Sequence, residues 1–301
     1  MKTARIKAFA KLNLFLDIVG VENGYHMLDT VVTTVDLYDS ITLSERADDK
    51  VILRTGGSIY SVNYMSEVEG NNAYKAAKAF VTEFGTHGVD IVLNKNIPIG
   101  SGMGGSSADI AGVLNGMEQI YRTGGNLKAV ADKLGSDSGY MLTGGFARLN
   151  GRGERVTPIV SAKKLYFLVV TAEGGVNTSE CYAAYDKLSV APPKTSAEAL
   201  IDALSGGGKL TGEMFYNALY EPAVYINPKV GEAYEFISSL SPVATLMSGS
   251  GSSVFGLFDT PELCLWAQEK ARRKFKKTFV LESIVKDEEN KGFFFKNPYS
   301  L

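Results

Sequence analysis

Along the first strand-like stretch Leu12, Leu14, Leu16 and Ile18 interleave with Asn13, Phe15, Asp17 and Val19, so one register is wholly apolar and the other mixed. A period of two predicts a strand buried heavily on one side. Asn23-Gly24 is a strong turn signal, and a second β-rich stretch follows over 31–43. From 71 to 84 the period becomes helical, with Ala73, Ala76, Ala77 and Phe80 on one face. Val89, Ile91 and Leu93 alternate again and predict a strand ending near Pro98. Ile110, Val113, Leu114, Met117, Ile120 and Tyr121 recur at helical spacing, which predicts an amphipathic helix capped by Ser106 or Ser107. A short helix over 126–134 follows. Gly144-Gly145 and Gly151-Arg152-Gly153 then bracket a strand over 146–149.

A new unit starts with a strand over 165–171. Helical patterns follow over 179–188, 197–204, 213–220 and 230–240, with Ser205-Gly206-Gly207-Gly208 as a loop. Strands over 243–247 and 253–258, a helix over 261–274 and a strand over 279–284 close the pattern. There is no repeat and no low-complexity tract. Strands and helices mix without a steady βαβ alternation, so the predicted class is α+β rather than doubly wound. At 301 residues the chain exceeds what one core usually holds, and the pattern divides into domains over 1–160 and 161–301.

Composition adds exclusions. With 45% apolar and 21% charged residues the chain has an ordinary globular composition. The formal net charge of -2 supplies no global positive field, so neither nucleic acid nor an anionic membrane is an expected partner. An anionic small substrate has to be met by a few placed cations. Cys181 and Cys264 lack metal-like or redox-like spacing and read as buried, idle thiols of a reducing compartment. The first seven residues carry charges and no apolar signal core, and no apolar run approaches the ~20 residues of a membrane span. The expected location is the cytoplasm. The basic run over 270–277 reads as a solvated helix end, and His87 as a surface turn residue.

The chemistry concentrates in the segment from Pro98 to Ala108, which joins a strand to a helix N-terminus and is dense in glycine and serine. Such a junction collects free backbone N–H groups and the positive end of a helix dipole, which suits phosphate. Gly100, Gly102 and Gly105 literally spell the dinucleotide fingerprint, but the hydrophobic strand and acid expected ~20 residues further on are missing. No lysine follows the glycines, which excludes a Walker loop, and protein-kinase signatures are absent.

The run Gly102-Met103-Gly104-Gly105-Ser106-Ser107-Ala108, preceded by Pro98, resembles the ATP loop of the GHMP kinases (galactose, homoserine, mevalonate and phosphomevalonate kinases). Two more stretches stand in the family's order. Ala10-Lys11-Leu12-Asn13-Leu14 resembles the first family motif, and the stretch from Met247 to Phe258 resembles the third, a glycine hairpin behind the phosphate loop. Gly24-Tyr25-His26, Asp36-Leu37-Tyr38-Asp39 and Gly135-Ser136-Asp137 resemble most the members that act on a cytidine diphosphate-linked polyol.

The resemblance implies a two-domain architecture with the active site in the cleft between domains. It implies ATP and Mg²⁺ as cofactors, with phosphorylation of a 2-hydroxyl in isoprenoid precursor biosynthesis; a diverged family member acting on homoserine or a sugar is the alternative. Asp137 is then the catalytic acceptor of the hydroxyl proton, with Lys11 beside it. Pro98, Gly100, Ser101, Gly102, Met103, Gly104, Gly105, Ser106 and Ser107 would bind ATP, with Ser107 as the metal contact and Asn72 and Lys95 on the adenine side. Asn13, Tyr25, His26, Thr178, Tyr182, Gly249 and Ser250 would bind the substrate, with Tyr25 and Tyr182 sandwiching the cytosine. Tyr182 reads equally as the inward residue of an amphipathic helix. The implied assembly is a monomer or homodimer.

Three departures from the family pattern stand out. Ser106 replaces a glycine, Ala108 replaces the second serine, and Asp137-Ser138-Gly139-Tyr140-Met141 lacks the usual proline. The first two bear on nucleotide affinity and the Mg²⁺ contact. The third predicts a looser turn around Asp137.

Overall fold

The computed structural model describes residues 1–57 and 68–285, and the second domain expected over 161–301 therefore extends past the described residues. Its first two strands, β1 (Thr3–Glu22) and β2 (Tyr25–Glu45), form a long antiparallel hairpin. Asn23 and Gly24 turn it with φ of 51° and 79°, the double left-handed geometry that suits the twist of a two-residue hairpin. The first strand is much longer than its alternating segment suggested. Register shifts at Phe9/Lys11, Asn13/Phe15 and Ile18/Gly20 interrupt the alternation, so residues 10–16 are all buried.

This hairpin organises a mixed sheet in the order β3 (Val51–Gly57), β4 (Val89–Lys95), β2, β1, β8 (Tyr216–Asn217). The C-terminal half of β2 pairs with β4, and its N-terminal half with β5 (Phe146–Gly151), which in turn pairs with β6 (Arg155–Ile159). On one face lie α1 (Asn72–Phe84) and α2 (Gly105–Tyr121). Gly112 and Gly116 let α2 settle close to the sheet. A Cβ on them would lie 2.7 Å from Ile41 Cδ1 and 2.2 Å from Leu43 Cδ1. Two short helices, α3 (Leu127–Leu134) and α4 (Ser138–Met141), pack beside α2.

A second, antiparallel sheet runs β11 (Thr278–Glu282), β7 (Tyr166–Thr171), β10 (Ser253–Phe258), β9 (Ala244–Met247). The helices of this half are α5 (Thr178–Tyr185), α6 (Ala197–Ser205), α7 (Tyr220–Ile226), α8 (Pro228–Ser238) and α9 (Pro261–Ala271). One mixed and one antiparallel sheet, with helices gathered against them, make the fold α+β. One apolar core runs from Ala4 through Phe255 to Leu281 and so joins both sheets; a second, around Val170, Cys181, Ala233 and Cys264, fills the space beneath α7, α8 and α9.

The helix expected over 213–220 is a correction. A single 3₁₀ turn (Gly212–Met214) precedes the two-residue strand β8, which lies parallel to β1 at Phe15 and Leu16. The helix begins only at Tyr220. Tertiary pairing outweighs local propensity here, because Asn217 is buried and its side chain accepts from Leu219 N (2.9 Å) while donating to the carbonyls of Met247 (2.7 Å) and Gly249 (2.8 Å). Strands β3 and β6 were not anticipated; β6 is a mostly exposed edge that carries Pro158, where neither alternation nor burial leaves a signal.

Both cysteines are buried, and burial pushes their thiols up to about 11 for Cys181 and about 12 for Cys264. No helix among the described residues is long and apolar enough to cross a membrane.

Candidate active site

A cleft of about 490 Å³ opens between the two sheets. Its walls come from β1, the glycine segment, the turn at Ser136-Asp137 and, from the second half of the chain, Val176, Thr178, Tyr182 and Gly249 to Gly251. The glycine segment forms its floor. Gly100, Gly102 and Gly104 have φ of 65°, 73° and 72°, which only glycine adopts cheaply. At Gly102 space is also short: a Cβ there would lie 2.0 Å from the Ser248 carbonyl oxygen. The third-motif hairpin backs the loop directly, since Ser252 N donates to Gly100 O (3.2 Å), Ser253 N to Ser101 O (3.0 Å) and Ser248 Oγ to Gly102 O (3.0 Å).

The helix cap expected at Ser106 or Ser107 is a correction. Gly104 is the N-cap of α2, in the left-handed region and with no side-chain hydrogen bond. Ser106 and Ser107 lie inside the first turn and line the cleft. The first main-chain bond of the helix is Ala108 N to Gly104 O (2.9 Å), so the N–H groups ahead of it face the cleft uncapped. Together with the helix dipole they make a site for an anion. Met103 is a second correction. Its side chain is fully buried in the core, and only its carbonyl serves the site, by accepting from Lys11 N (3.0 Å).

Lys11 and Asn13 project from the same face of β1 into the cleft, two residues apart. Lys11 is 5% exposed; its stem lies under Gly104, and its ammonium reaches the Asp137 carboxylate at 3.3 Å and donates to Asn13 Oδ1. Asn13 donates from Nδ2 to Thr30 Oγ1 (2.9 Å), and its main-chain N–H donates to Ser248 Oγ (3.2 Å). Asp137 is 30% exposed at its side chain and begins α4 without capping it, so its carboxylate is not spent on the helix end. The turn that carries it is not loose. In place of a proline, Tyr140 is fully buried, with its hydroxyl against Thr34 Oγ1 (2.8 Å) and Gly145 O (2.7 Å), and burial followed by the Asp137 charge raises its pKa.

Lys95 is also buried, between Asp39 and Asp109, with Asp109 Oδ2 at 2.7 Å. Burial pulls the Lys95 ammonium down, but the two carboxylates outweigh it and hold it above its usual value. One cation cannot neutralise two acids. Burial, opposed by Lys95 and reinforced by Asp39, pushes Asp109 up to about 7. Asp39 is fully taken up, since it also accepts from Ile97 N (2.9 Å), whereas Asp109 Oδ1 has no protein partner. Asn72 lies nearby on the wall, at the start of α1, and Asn71 beside it caps that helix.

At the other end, Thr178 and Ser250 share a hydroxyl contact (3.0 Å), and Tyr182 lines the cleft from α5. Burial, then the Asp137 charge, raises the Tyr182 pKa. His26 stacks on Tyr182 with ring centres 4.8 Å apart, and its Nε2 lies 2.7 Å from Asp186 Oδ1. Tyr25 is 51% exposed and stands outside the cleft wall, where the Arg152 guanidinium covers its ring at 3.7 Å; Arg152 itself reaches the cleft. Tyr25 and Tyr182 thus each carry another side chain on the ring, Arg152 and His26 respectively. Of the expected residues, Pro98, Gly100, Ser101, Gly102, Gly104, Gly105, Ser106, Ser107, Asn72, Lys95, Lys11, Asn13, Asp137, Thr178, Tyr182, Gly249 and Ser250 all line the cleft, and Met103, Tyr25 and His26 do not. Sequence reasoning missed Thr30, Asp109, Arg152, Asn217 and Ser248. Of these, only Asp109 carried a signal, as an acid inside the first apolar turn after the glycines.

The family models for the GHMP kinases N terminal domain and the GHMP kinases C terminal region match residues 71–146 and 196–280. Over 286 residues the chain is 34% identical to the 4-diphosphocytidyl-2-C-methyl-D-erythritol kinase of Clostridium beijerinckii, covering 93% of this chain and 100% of that one. It is 33% identical over 287 residues to the enzyme of the same name from Caldicellulosiruptor bescii, covering 93% and 96%. A crystal structure of a 4-(cytidine 5'-diphospho)-2C-methyl-D-erythritol kinase superposes with a TM-score of 0.77 at 30% identity, over 93% of this chain and 98% of that one. The homoserine kinase of Cytophaga hutchinsonii shares the fold at 17% identity (TM-score 0.69, 95% of each chain). By both halves of its sequence, and by full-length likeness to these enzymes, the chain belongs to the GHMP kinases.

Proposed function

We propose that this chain is an ATP-dependent kinase that phosphorylates the 2-hydroxyl of 4-diphosphocytidyl-2-C-methyl-D-erythritol, acting in the cytoplasm in isoprenoid precursor synthesis. The observation that carries the reading is the meeting of Lys11 and Asp137, at 3.3 Å, at the mouth of an uncapped, glycine-lined helix N-terminus. The relatives' names supply the substrate. The two domains, 1–160 and 161–301, would hold the reactants in the cleft between them.

The residues present fit the triphosphate of ATP. Gly102 and Gly104 leave no room for side chains, and the free N–H groups at the start of α2 offer donors where phosphate oxygens would lie. Ser107, which lines the cleft, is the residue that would hold Mg²⁺, an ion that keeps several waters and leans on substrate phosphates. When bound, that ion neutralises phosphate charge.

Asp137 accepts the proton of the substrate hydroxyl as that oxygen bonds to the γ-phosphorus and the bond to the β-phosphate oxygen breaks, releasing ADP. Lys11, 3.3 Å from Asp137, lies where its charge can stabilise the transferring group. Asn13, held by Thr30 and Ser248, orients the polyol, and the Tyr182 end receives the base. An ADP-release assay with the cytidine-linked polyol, homoserine and a sugar as acceptors tests this. Turnover confined to the first is expected; turnover with homoserine or a sugar and none with the first overturns it.

A further inference from the structure

Recognition of a cytosine against a uracil turns on one edge. Cytosine presents an exocyclic amine where uracil presents a carbonyl, so the discriminating protein atom must accept rather than donate. A histidine can do either. Which of its ring nitrogens carries the hydrogen depends on the partner of the other nitrogen.

His26 has such a partner. Its Nε2 lies 2.7 Å from Asp186 Oδ1, at the C-terminal end of α5, while Tyr182 stacks on one ring face and Tyr185 meets the ring edge-on at 6.1 Å. The ring is thus fixed in plane and rotation by three residues of one helical segment. His26 is only 16% exposed at its side chain. Its Nδ1 has no protein partner among the described residues. A carboxylate only accepts, so Nε2 must carry the hydrogen, and in the neutral ring Nδ1 keeps a lone pair.

We propose that Asp186 is a positioning residue that locks His26 in the Nε2–H tautomer, so that Nδ1 accepts from the exocyclic amine of cytosine and rejects uracil. The selectivity rests on the reading of a cytidine substrate given above; the tautomer does not. Tyr182 links the two, since it lines the cleft and carries His26 on its ring.

The chain has two histidines, His26 and His87, so long-range ¹H–¹⁵N spectra of the full protein report the tautomer directly, with His87→Gln giving the assignment. At about pH 8.5, above the imidazole range, the expected spectrum has a protonated Nε2 and a bare Nδ1 at His26, with that preference lost in Asp186→Ala. In parallel, calorimetric binding of cytidine diphosphate and uridine diphosphate is measured on the wild type, Asp186→Ala and Asp186→Asn. The wild type should favour the cytidine ligand, and both variants should lose at least about fivefold of that preference, the size expected for one lost hydrogen bond. In Asp186→Asn the amide can donate to Nε2 and drive the hydrogen to Nδ1, so the preference should fall furthest there. A His26 that carries its hydrogen on Nδ1 in the wild type, or an unchanged preference in both variants, overturns the proposal. If the wild type binds neither ligand while the tautomer is as expected, the cytidine reading itself has failed, and the selectivity falls with it.

Discussion

Lys11 and Asp137 meet at 3.3 Å although they come from opposite ends of the first half of the chain, one on β1 and one at the start of α4. Lys11 cannot leave this position without disturbing the loop, because Gly104 lies on its stem and its main-chain N–H holds Met103 O. The same side chain therefore supports the phosphate floor and contacts the proposed base.

Asp137→Asn keeps shape and removes the proton acceptor. Turnover should fall by about 10²–10⁴-fold, the range of a lost general base, with nucleotide affinity nearly unchanged. Single-turnover kinetics beside nucleotide titration check this; a variant within tenfold of wild type removes Asp137 from the chemistry.

Gly102→Ala and Gly100→Ala separate space from backbone conformation. Both have positive φ, but a Cβ at Gly100 meets nothing within 4 Å, whereas at Gly102 it would meet Ser248 O at 2.0 Å. Gly100→Ala should cost about 1 kcal/mol. Gly102→Ala should cost on the order of 3 kcal/mol or more and should push the loop off its hairpin, with a matching rise in the KM for ATP. Denaturant titrations and ATP kinetics read both; equal losses would contradict the packing described.

Asn217→Ala strands the Met247 and Gly249 carbonyls and the Leu219 N–H at a buried site. A loss of about 2–4 kcal/mol is expected, since buried groups left unpaired cost more than the bond itself contributes. Because these carbonyls belong to the hairpin behind the loop, the KM for ATP should rise as well. A fall in Tm without a change in KM would mean that the hairpin does not shape the site.

Asp109 gives the chain a pH signature. Its carboxyl titrates at about 7 in the fold, above its ordinary 3.8, because burial outweighs the attraction of Lys95. The folded state therefore holds a proton that the unfolded state has already lost, and the stability this group contributes is present below about pH 4 and lost as pH rises through about 7. Asp109→Asn leaves Lys95 paired with Asp39 and removes that dependence. The variant should gain on wild type, by on the order of a few kcal/mol, between about pH 4 and 7 and stay level above. Parallel stability curves would show that Asp109 is ionised throughout.

Much of this site could be read from residue pattern. The helix after the glycines, the hairpin turn at Asn23-Gly24 and the helix over 71–84 all follow local rules, and the fold obeys them. Lys11, Asn13 and Asp137 were legible through the family motifs in which they stand. What escaped depends on distant pieces. Asn217 reads as part of a helix over 213–220 until Met247 and Gly249 arrive beside it, and β8 exists only because β1 offers it a neighbour. Met103 looked like part of a phosphate loop but faces the core, since that loop turns its main chain, not its side chains, to the cleft. Arg152 lies over the Tyr25 ring and His26 over that of Tyr182, contacts between distant segments that no local pattern announces.

Phosphorus NMR of the product formed from ATP and the cytidine-linked methylerythritol tests the central claim most directly. The account predicts one new phosphomonoester, at the 2-position of the erythritol, formed in step with ADP and abolished by Asp137→Asn. ADP released with inorganic phosphate and no new ester, or an ester at another hydroxyl, would contradict it.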